Sequence, residues 1–224
     1  MKVEVMQNIL GANEATATAN KARFAAESVA VVNLMGSPGA GKTSVLEKTL
    51  VKLKDELRLA VIEGDLFTAK DGERIETLGI PVIQINTAGG CHLDAAMVQK
   101  ALLSLNVAEL DLIIIENVGN LVCPAEFNLG EDCKATVLSV TEGDDKPLKY
   151  PLIFKESSVV LINKVDILPY TNFNLTTAKE DMSALNPGLK IIETACTTGQ
   201  GIDEWCAWLK NLTAQKRATG GGTP

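Results

Sequence analysis

A glycine-rich segment at residues 36–43 has the residue types and spacing of a phosphate-binding loop. It matches the pattern G-x-x-x-x-G-K-S/T, and it follows an apolar run and precedes a helical pattern. Glycines let successive backbone N–H groups point at one phosphate, the lysine spans the β- and γ-phosphate oxygens, and the threonine hydroxyl binds Mg²⁺. The residues predicted to hold the nucleotide phosphates are Gly36, Gly39, Ala40, Gly41, Lys42, Thr43 and Ser44.

A second motif, N-K-x-D at residues 163–166, ends another apolar run and looks like the guanine-reading motif of GTPases. A carboxylate at Asp166 can accept hydrogen bonds from both the N1 and N2 donors of guanine, whereas adenine offers no such pair. Asn163 would face the acceptor edge of the base and brace the loop, and the stem of Lys164 would cover the base face. The motif therefore predicts GTP rather than ATP. A further base-contacting loop is assigned to Thr194, Ala195 and Cys196.

Two acidic residues, Asp65 and Glu116, each follow an apolar run. Because ligands bind at the carboxyl ends of the strands in open α/β sheets, both are expected to face the phosphates. Each is predicted to hold Mg²⁺ or to position the attacking water, and the alternative for each is a helix or turn cap. Gly119 is predicted to donate its N–H to the γ-phosphate and to act as the hinge of a switch. With Lys42, these residues form the predicted catalytic set.

Two thiols and the single histidine of the chain could form a metal site. Cys91 and His92 are adjacent, Cys123 lies in a later loop, and both loops are expected at the nucleotide edge of the sheet. Sulfur and nitrogen ligands suit Ni²⁺ or Zn²⁺ far better than Mg²⁺. Three ligands leave the coordination shell open, so a two-fold dimer or a solvent ligand would complete it. By spacing alone, an incidental Cys–His pair is the main alternative.

Seven short apolar runs rich in β-branched residues alternate with helical patterns along the chain. Runs that are apolar throughout are typical of strands buried on both faces of a parallel sheet. The alternation indicates an α/β fold with a doubly wound, mostly parallel sheet. We predict strands at residues 29–34, 59–63, 82–85, 112–115, 135–140, 159–162 and 190–193. We predict helices at residues 42–56, 69–78, 93–105, 176–185 and 202–213.

The two ends of the chain differ from this alternating pattern. Residues 13–28 are rich in alanine and mixed in charge, which predicts a peripheral helix within an N-terminal extension at residues 1–28. The P-loop domain is predicted at residues 29–213. Residues 214–224 include three consecutive glycines and offer nothing apolar to bury, so we expect a disordered tail there.

Composition excludes several classes of function. The 224 residues include 21 basic and 28 acidic side chains, a formal net charge of −7, and no basic stripe, so nucleic acid is not expected as a main partner. We find no leader pattern and no apolar run of about 18 residues, and expect neither export nor a membrane anchor. Five cysteines at irregular spacing favour reduced thiols in the cytoplasm over a disulfide framework.

Taken together, the motifs closely resemble the nickel-incorporation GTPases that mature nickel–iron hydrogenases. The resemblance covers about residues 12–213 and implies a GTP-dependent homodimer of the signal-recognition-like branch of P-loop GTPases. It implies that Cys91, His92 and Cys123 bind nickel or zinc at the dimer interface. It also implies two partners, a nickel metallochaperone and the precursor of the hydrogenase large subunit. The segments that carry the resemblance are GSPGAGKT at 36–43, GGCH at 89–92, ENVGNLVCP at 116–124, SVTEGDDKP at 139–147 and NKVD at 163–166.

The sequence departs from part of this family in two ways. It has no Cys-x-x-Cys-Gly-Cys segment, since its first cysteine is Cys91, and no histidine-rich stretch, since His92 stands alone. We therefore expect the site in the GTPase domain to be the only nickel or zinc site. Three alternatives stay open: a GTPase of the same branch that serves urease or a cobalamin enzyme, a small-molecule kinase, and a passive metal-binding protein. The N-K-x-D segment argues against the kinase.

Overall fold

Seven strands form one sheet at the centre of the computed structural model, which describes residues 2–65 and 74–220 and the side chains of residues 10–65 and 74–219. The strand order is β3-β2-β4-β1-β5-β6-β7, and every pair of neighbours is parallel. The predicted fold class and all seven predicted strands are confirmed. The strands are β1 (Ala30–Gly36), β2 (Leu59–Asp65), β3 (Val82–Asn86), β4 (Leu112–Glu116), β5 (Cys133–Ser139), β6 (Ser157–Asn163) and β7 (Lys190–Glu193).

Helices cover both faces of the sheet. They are α1 (Lys2–Ala26), α2 (Lys42–Leu53), α3 (Ala95–Ala101), α4 (Cys123–Glu126), α5 (Lys146–Lys149), α6 (Pro151–Glu156), α7 (Leu175–Leu185) and α8 (Ile202–Gly220). Short 3₁₀ helices lie at Leu102–Ser104, Val107–Glu109 and Val165–Tyr170. The helix predicted at 69–78 falls partly on residues 69–73, outside the described residues. Within the described part of the chain, no helix has the length and apolar character needed to cross a membrane.

The core lies in layers on the two faces of the sheet, as expected for strands that are apolar throughout. The helices α2 and α8 pack on one face, and α1 with α3 and α6 with α7 pack on the other. Burial is complete at the centre of each layer, so each helix is held by its apolar stripe. The largest buried anchors of these helices are Leu46, Leu50, Trp205, Phe24, Val98, Phe154 and Met182.

The C-terminal segment corrects one prediction. Residues 214–224 were expected to form a disordered tail, but α8 continues through most of this segment. Two ion pairs hold its last turns against the domain: Lys216 contacts Asp132 at 2.6 Å, and Arg217 contacts Asp111 at 2.5 Å. The prediction failed because it considered apolar burial only, whereas the segment is held by charge. The last four residues lie outside the described part of the chain.

Asp111 joins β4 to two other parts of the chain. Its buried carboxylate accepts hydrogen bonds from the backbone and guanidinium of Arg58 and pairs with Arg217. Burial by itself would raise the pKa of this carboxyl, but the hydrogen bonds from the two arginines outweigh burial and hold the pKa well below its usual range. A carboxylate with a lowered pKa stabilises the fold above its unfolded-state pKa of about 4, and this contribution is lost as the pH falls.

We expect Asp111→Asn to lower the free energy of unfolding by about 2 kcal/mol at neutral pH, a moderate value because the arginine partners are half-exposed. Urea denaturation of both proteins between about pH 7 and about pH 3 measures the effect. The difference should shrink below about pH 4, because the unfolded wild-type chain takes up a proton on Asp111 there and the variant has no such group. A difference that stays constant over this range would contradict the assignment.

Candidate functional site

The phosphate loop joins β1 to α2 and curls around the ammonium group of Lys42. Lys42 Nζ donates hydrogen bonds to the carbonyl oxygens of Gly36 and Ser37, both at 3.2 Å. Three loop glycines have φ angles in the positive region that favours glycine: Gly36 at 147°, Gly39 at 77° and Gly41 at 99°. The loop backbone and the lysine therefore have the arrangement needed to surround a phosphate.

A cavity of about 450 Å³ opens beside the phosphate loop and contains the predicted acidic residues. Thr43 Oγ1 donates to Glu116 Oε1 at 2.8 Å, and Asp65, at the end of β2, lines the same cavity. Gly119 lies against the loop, since a Cβ at this position would be 2.8 Å from the nitrogen of Pro38. A hydroxyl and carboxylates are the oxygen ligands that Mg²⁺ prefers, so this donor set fits Mg²⁺.

Sequence reasoning did not assign two other charged residues of this cavity. Glu63 is buried on β2 and lies in register with Glu116 on β4. Arg74 also lines the cavity and pairs with Glu47 at 2.8 Å. Glu63 could have been found from the sequence, because it is a charged residue at the end of a predicted strand, beside Asp65.

The N-K-x-D segment lies against the phosphate loop. Asn163 Nδ2 donates to the carbonyl oxygen of Ala40 at 2.9 Å, and Asn163 Oδ1 accepts from Thr194 Oγ1 at 3.3 Å. Lys164, in a left-handed conformation with φ of 64°, donates from Nζ to the carbonyl oxygen of Gly39 at 2.7 Å. Asn163 thus joins the N-K-x-D segment to the phosphate loop.

The second loop of the predicted base site packs beside this segment. Asp166 Oδ2 accepts a hydrogen bond of 2.6 Å from Thr197, a residue that the sequence analysis did not assign. The thiol of Cys196 lies 3.7 Å from Asn163 Oδ1, and burial raises its pKa. Ala195 is buried and pairs through its backbone with Gln200 at the base of the loop. The structure therefore places the two predicted base-contacting segments side by side.

The three predicted metal ligands meet at the same edge of the sheet. Cys91 Sγ lies 3.2 Å from Cys123 Sγ and 3.6 Å from His92 Nδ1, and the ligand atoms all lie within 4.8 Å of one another. Burial against Phe127, whose ring centroid is 3.9 Å from that of His92, lowers the imidazole pKa and favours the neutral form that binds metals. The hydrogen bond with Cys91 and burial raise the pKa of Cys123.

One asparagine connects the phosphate loop to this cluster. The backbone N–H of Asn120 donates to the carbonyl oxygen of Gly36 at 3.0 Å, and its side-chain Nδ2 donates to the carbonyl oxygen of Cys91 at 3.3 Å. Its Oδ1 accepts from the N–H of Val122 at 2.9 Å, directly before Cys123. Sequence reasoning gave Asn120 no role, because these contacts join loops that are distant along the chain.

A chain of buried polar side chains runs from the same region into the sheet. Asn117 Oδ1 accepts from the N–H of Leu93 at 3.1 Å, and Asn117 Nδ2 donates to Asn33 Oδ1 at 3.1 Å. Asn33 lies on the central strand β1 and donates to Glu131 Oε1 at 3.3 Å. All three polar residues of this chain are buried. They fix the start of the segment that follows His92 relative to β1 and β4.

The parallel sheet and the loop around Lys42 define a P-loop nucleotide-binding protein. Residues 30–193 match the family model described as "CobW/HypB/UreG, nucleotide-binding domain". The hydrogenase maturation factor HypB of Escherichia coli is 50% identical over 208 residues, which cover 93% of this chain and 72% of that protein. The chain belongs to the family of hydrogenase maturation factors HypB.

Solved structures agree with this assignment. The crystal structure of HypB from Helicobacter pylori in complex with nickel superimposes with a TM-score of 0.86 at 38% identity, covering 95% of this chain and 98% of that one. The signal recognition particle receptor FtsY from Elizabethkingia anophelis has a TM-score of 0.56 at 15% identity, covering 82% of this chain and 65% of that one, a likeness of fold alone. The likeness to FtsY shows that the two chains share a fold.

Proposed function

We propose that this chain hydrolyses GTP as a homodimer and couples the reaction to the insertion of nickel into the precursor of a nickel–iron hydrogenase. The observation that carries the proposal is the pair of hydrogen bonds through which Asn120 contacts both the phosphate loop and the loop of Cys91. The names of the related proteins, which are hydrogenase maturation factors, one of them in complex with nickel, support it.

Selection of guanine rests on Asp166 and its neighbours. A carboxylate held at 2.6 Å by Thr197 keeps its second oxygen available for the N1 and N2 donors of guanine. Adenine presents no such donors, so binding ATP would desolvate Asp166 without replacing its hydrogen bonds. Lys164 extends over the phosphate loop toward Gly39, so that its aliphatic stem can cover the face of the base.

Hydrolysis rests on the loop and the acidic residues beside it. Lys42 supplies a positive charge where negative charge develops on the β- and γ-phosphate oxygens. Thr43 with Glu116 or Asp65 would hold Mg²⁺, which neutralises phosphate charge when bound. The carboxylate that does not hold the ion would orient the attacking water. Gly119, packed on Pro38, would donate its N–H to the γ-phosphate.

Nickel is the cargo of the thiol and imidazole cluster, and Zn²⁺ is the competing ion for the same ligand types. Cys91 is exposed, so the cluster can pass metal to or from another protein, such as a nickel metallochaperone. The three ligands leave an open position that a second copy can fill. Val122, next to Cys123, is 47% exposed, an apolar side chain suited to such an interface. The two cysteine ligands must be reduced to bind metal, which favours a cytoplasmic location.

Coupling of the nucleotide state to metal affinity follows from the short connection between the phosphate site and the metal site. Loss of the γ-phosphate would release Gly119, and the next residue, Asn120, contacts Cys91 and precedes Cys123 by three positions. A shift of this segment would therefore move both thiols and change the affinity for metal. The arrangement predicts an affinity for nickel that depends on the bound nucleotide.

We expect Ni²⁺ affinity, measured by chelator competition, to differ at least tenfold, about 1.4 kcal/mol, between the GDP-bound protein and the protein with a non-hydrolysable GTP analogue. The variant Asn120→Ala should reduce this difference to less than about threefold, because it removes the side-chain hydrogen bond to Cys91. The matched control, Asn106→Ala, changes an exposed asparagine before β4 at the opposite edge of the sheet and should keep the full difference.

Equal affinities in the two nucleotide states of the wild type would exclude the coupling. Nucleotide would then control assembly with a partner protein instead. A full difference retained by Asn120→Ala would show that the coupling takes another route.

A further inference from the structure

Two asparagines of α1, Asn13 and Asn20, contact the segments that follow the metal ligands. Asn13 Nδ2 donates to the carbonyl oxygen of Asn128 at 2.8 Å, and Asn13 Oδ1 accepts from the N–H of Ala95 at 2.8 Å. Asn20 Nδ2 donates to the carbonyl oxygens of Ala95 at 2.9 Å and Leu129 at 3.0 Å. Each asparagine therefore joins the same two segments, one at residue 95 and the other at residues 128–129.

Both segments carry metal ligands. Ala95 is the third residue after His92, and it begins α3. Leu129 follows α4, which begins at Cys123, and the ring of the intervening Phe127 contacts the ring of His92. The two loops contact each other directly at the thiols and at the ring of His92. Farther along both segments, the side-chain amides of Asn13 and Asn20 hydrogen-bond to the backbone of each loop and hold the two backbones at a fixed distance from each other.

The positions of the two asparagines on α1 suit them to contacting both loops. They are seven residues apart, which is about two helical turns, so they lie on one face of the helix. Asparagine is a weaker helix former than alanine, which precedes each of these positions, so its presence is explained by the contacts that it makes. Asn20 is fully buried, and an amide group buried there without partners would destabilise the fold.

The loop approaches α1 closely through Gly130. A Cβ at Gly130 would lie 2.7 Å from the carbonyl oxygen of Ala17 and 2.7 Å from Cβ of Asn20, and its φ is 94°. Its neighbour Leu129 is held on its other side by Glu131, which accepts from the N–H of Leu129 at 2.6 Å. The segment after α4 is thus fixed from α1 and from the buried polar chain that reaches Asn117.

We propose that Asn13 and Asn20 of α1 are positioning residues for the metal site, which set the separation of the Cys91–His92 loop from the Cys123 loop. This inference rests on the proposed metal site. Neither asparagine contacts the ligand atoms, and both act through the backbones of the two loops. Both asparagines lie outside residues 30–193, which match the nucleotide-binding domain of the family. The proposal therefore gives the N-terminal helix a function in metal binding.

The test compares Asn13→Ala, Asn20→Ala and the double variant with the wild type in the full chain. The measurements are Ni²⁺ affinity by chelator competition, the absorption band of thiolate-to-nickel charge transfer, GDP affinity and the thermal midpoint of unfolding. The matched control is Thr18→Ala, on the exposed face of α1, where the hydroxyl bonds only within the helix, to the carbonyl oxygen of Glu14.

We expect the double variant to bind Ni²⁺ at least about tenfold more weakly than the wild type, the size of effect seen when groups that orient metal ligands are removed. Its charge-transfer band should shift, while GDP affinity stays within about twofold because Asn13 and Asn20 bind residues 95, 128 and 129 and not the phosphate loop. Thr18→Ala should match the wild type in all four measurements. If the double variant does not fold, the single variant Asn13→Ala tests the inference, because Asn13 is only half-buried and its loss should be tolerated. We expect Asn13→Ala to bind Ni²⁺ about threefold more weakly than the wild type.

Unchanged Ni²⁺ affinity and an unchanged band in a folded variant would overturn the inference. Weaker Ni²⁺ and GDP binding in equal measure would also overturn it, since that pattern indicates general loosening of the fold. A wild type that binds no Ni²⁺ would instead refute the proposed function, and the inference with it.

Discussion

Replacing Lys42 with alanine is expected to lower GTP turnover by about 100-fold or more, because one charged donor to the transition state is worth about that much in rate. The ammonium group of Lys42 lies within the phosphate loop, held by the carbonyl oxygens of Gly36 and Ser37. Of the other described cations that line the cavity, Lys164 donates to Gly39 and Arg74 pairs with Glu47, so neither is placed to replace Lys42. GTP affinity should fall together with turnover.

Release of phosphate at saturating GTP measures this effect. The matched control is Lys54→Ala, which removes the same charge from an exposed position at the other end of α2. The control should retain turnover within about twofold, since surface substitutions rarely change a distant site. Turnover of Lys42→Ala within about threefold of the wild type would rule out the proposed role of the phosphate loop.

Replacing Cys123 with alanine is expected to weaken Ni²⁺ binding by more than about 100-fold, because loss of a ligand costs more than loss of a group that orients one. Cys123 Sγ lies 3.2 Å from Cys91 Sγ, so both thiols can reach one ion. The two remaining ligands, Cys91 and His92, would leave the ion mostly hydrated. The charge-transfer absorption of the bound nickel should fall as well, because one thiolate is lost.

The matched control for this prediction is Cys206→Ala. Cys206 is packed in the core beside Trp205 and Leu209, and burial raises the pKa of its thiol to about 11, so it stays protonated at neutral pH. Removing this thiol should lower stability slightly and leave Ni²⁺ affinity within about twofold. A similar loss of affinity in both variants would contradict the assignment of Cys123, because it would point to a general effect of thiol loss on the fold.

The strands could be predicted from the sequence because strands that are buried on both faces consist of continuous apolar runs. The short helices α4, α5 and α6 could not, since four to six residues are too few to show a helical period. The extension of α8 was missed for another reason. Its last turns depend on Arg217 and Lys216 pairing with residues far away in the chain, and such pairs leave no local pattern.

The residues of the candidate site also fall into two groups, those that could be predicted from the sequence and those that could not. Residues whose chemistry depends on neighbours in sequence, such as Lys42 in its loop or Asp166 in N-K-x-D, could be named in advance. Residues that act between loops could not: Asn120, Asn13 and Asn20 each connect backbones that are far apart in the sequence. Amide side chains of this kind are common on protein surfaces, so their type alone carries no signal. Only the folded structure shows which of them bridge two segments.

The buried polar chain through Asn33 and Asn117 restricts how this protein can diverge over evolutionary time. Asn33 accepts from Asn117 Nδ2 and donates to Glu131 Oε1, so a hydrophobic replacement at residue 33 removes both of these hydrogen bonds inside the core. A lineage that loses Asn33 must therefore change its partners too, or lose stability. Among homologues, we expect residues 33, 117 and 131 to be substituted together. A survey of covariation among these three positions measures how often this happens.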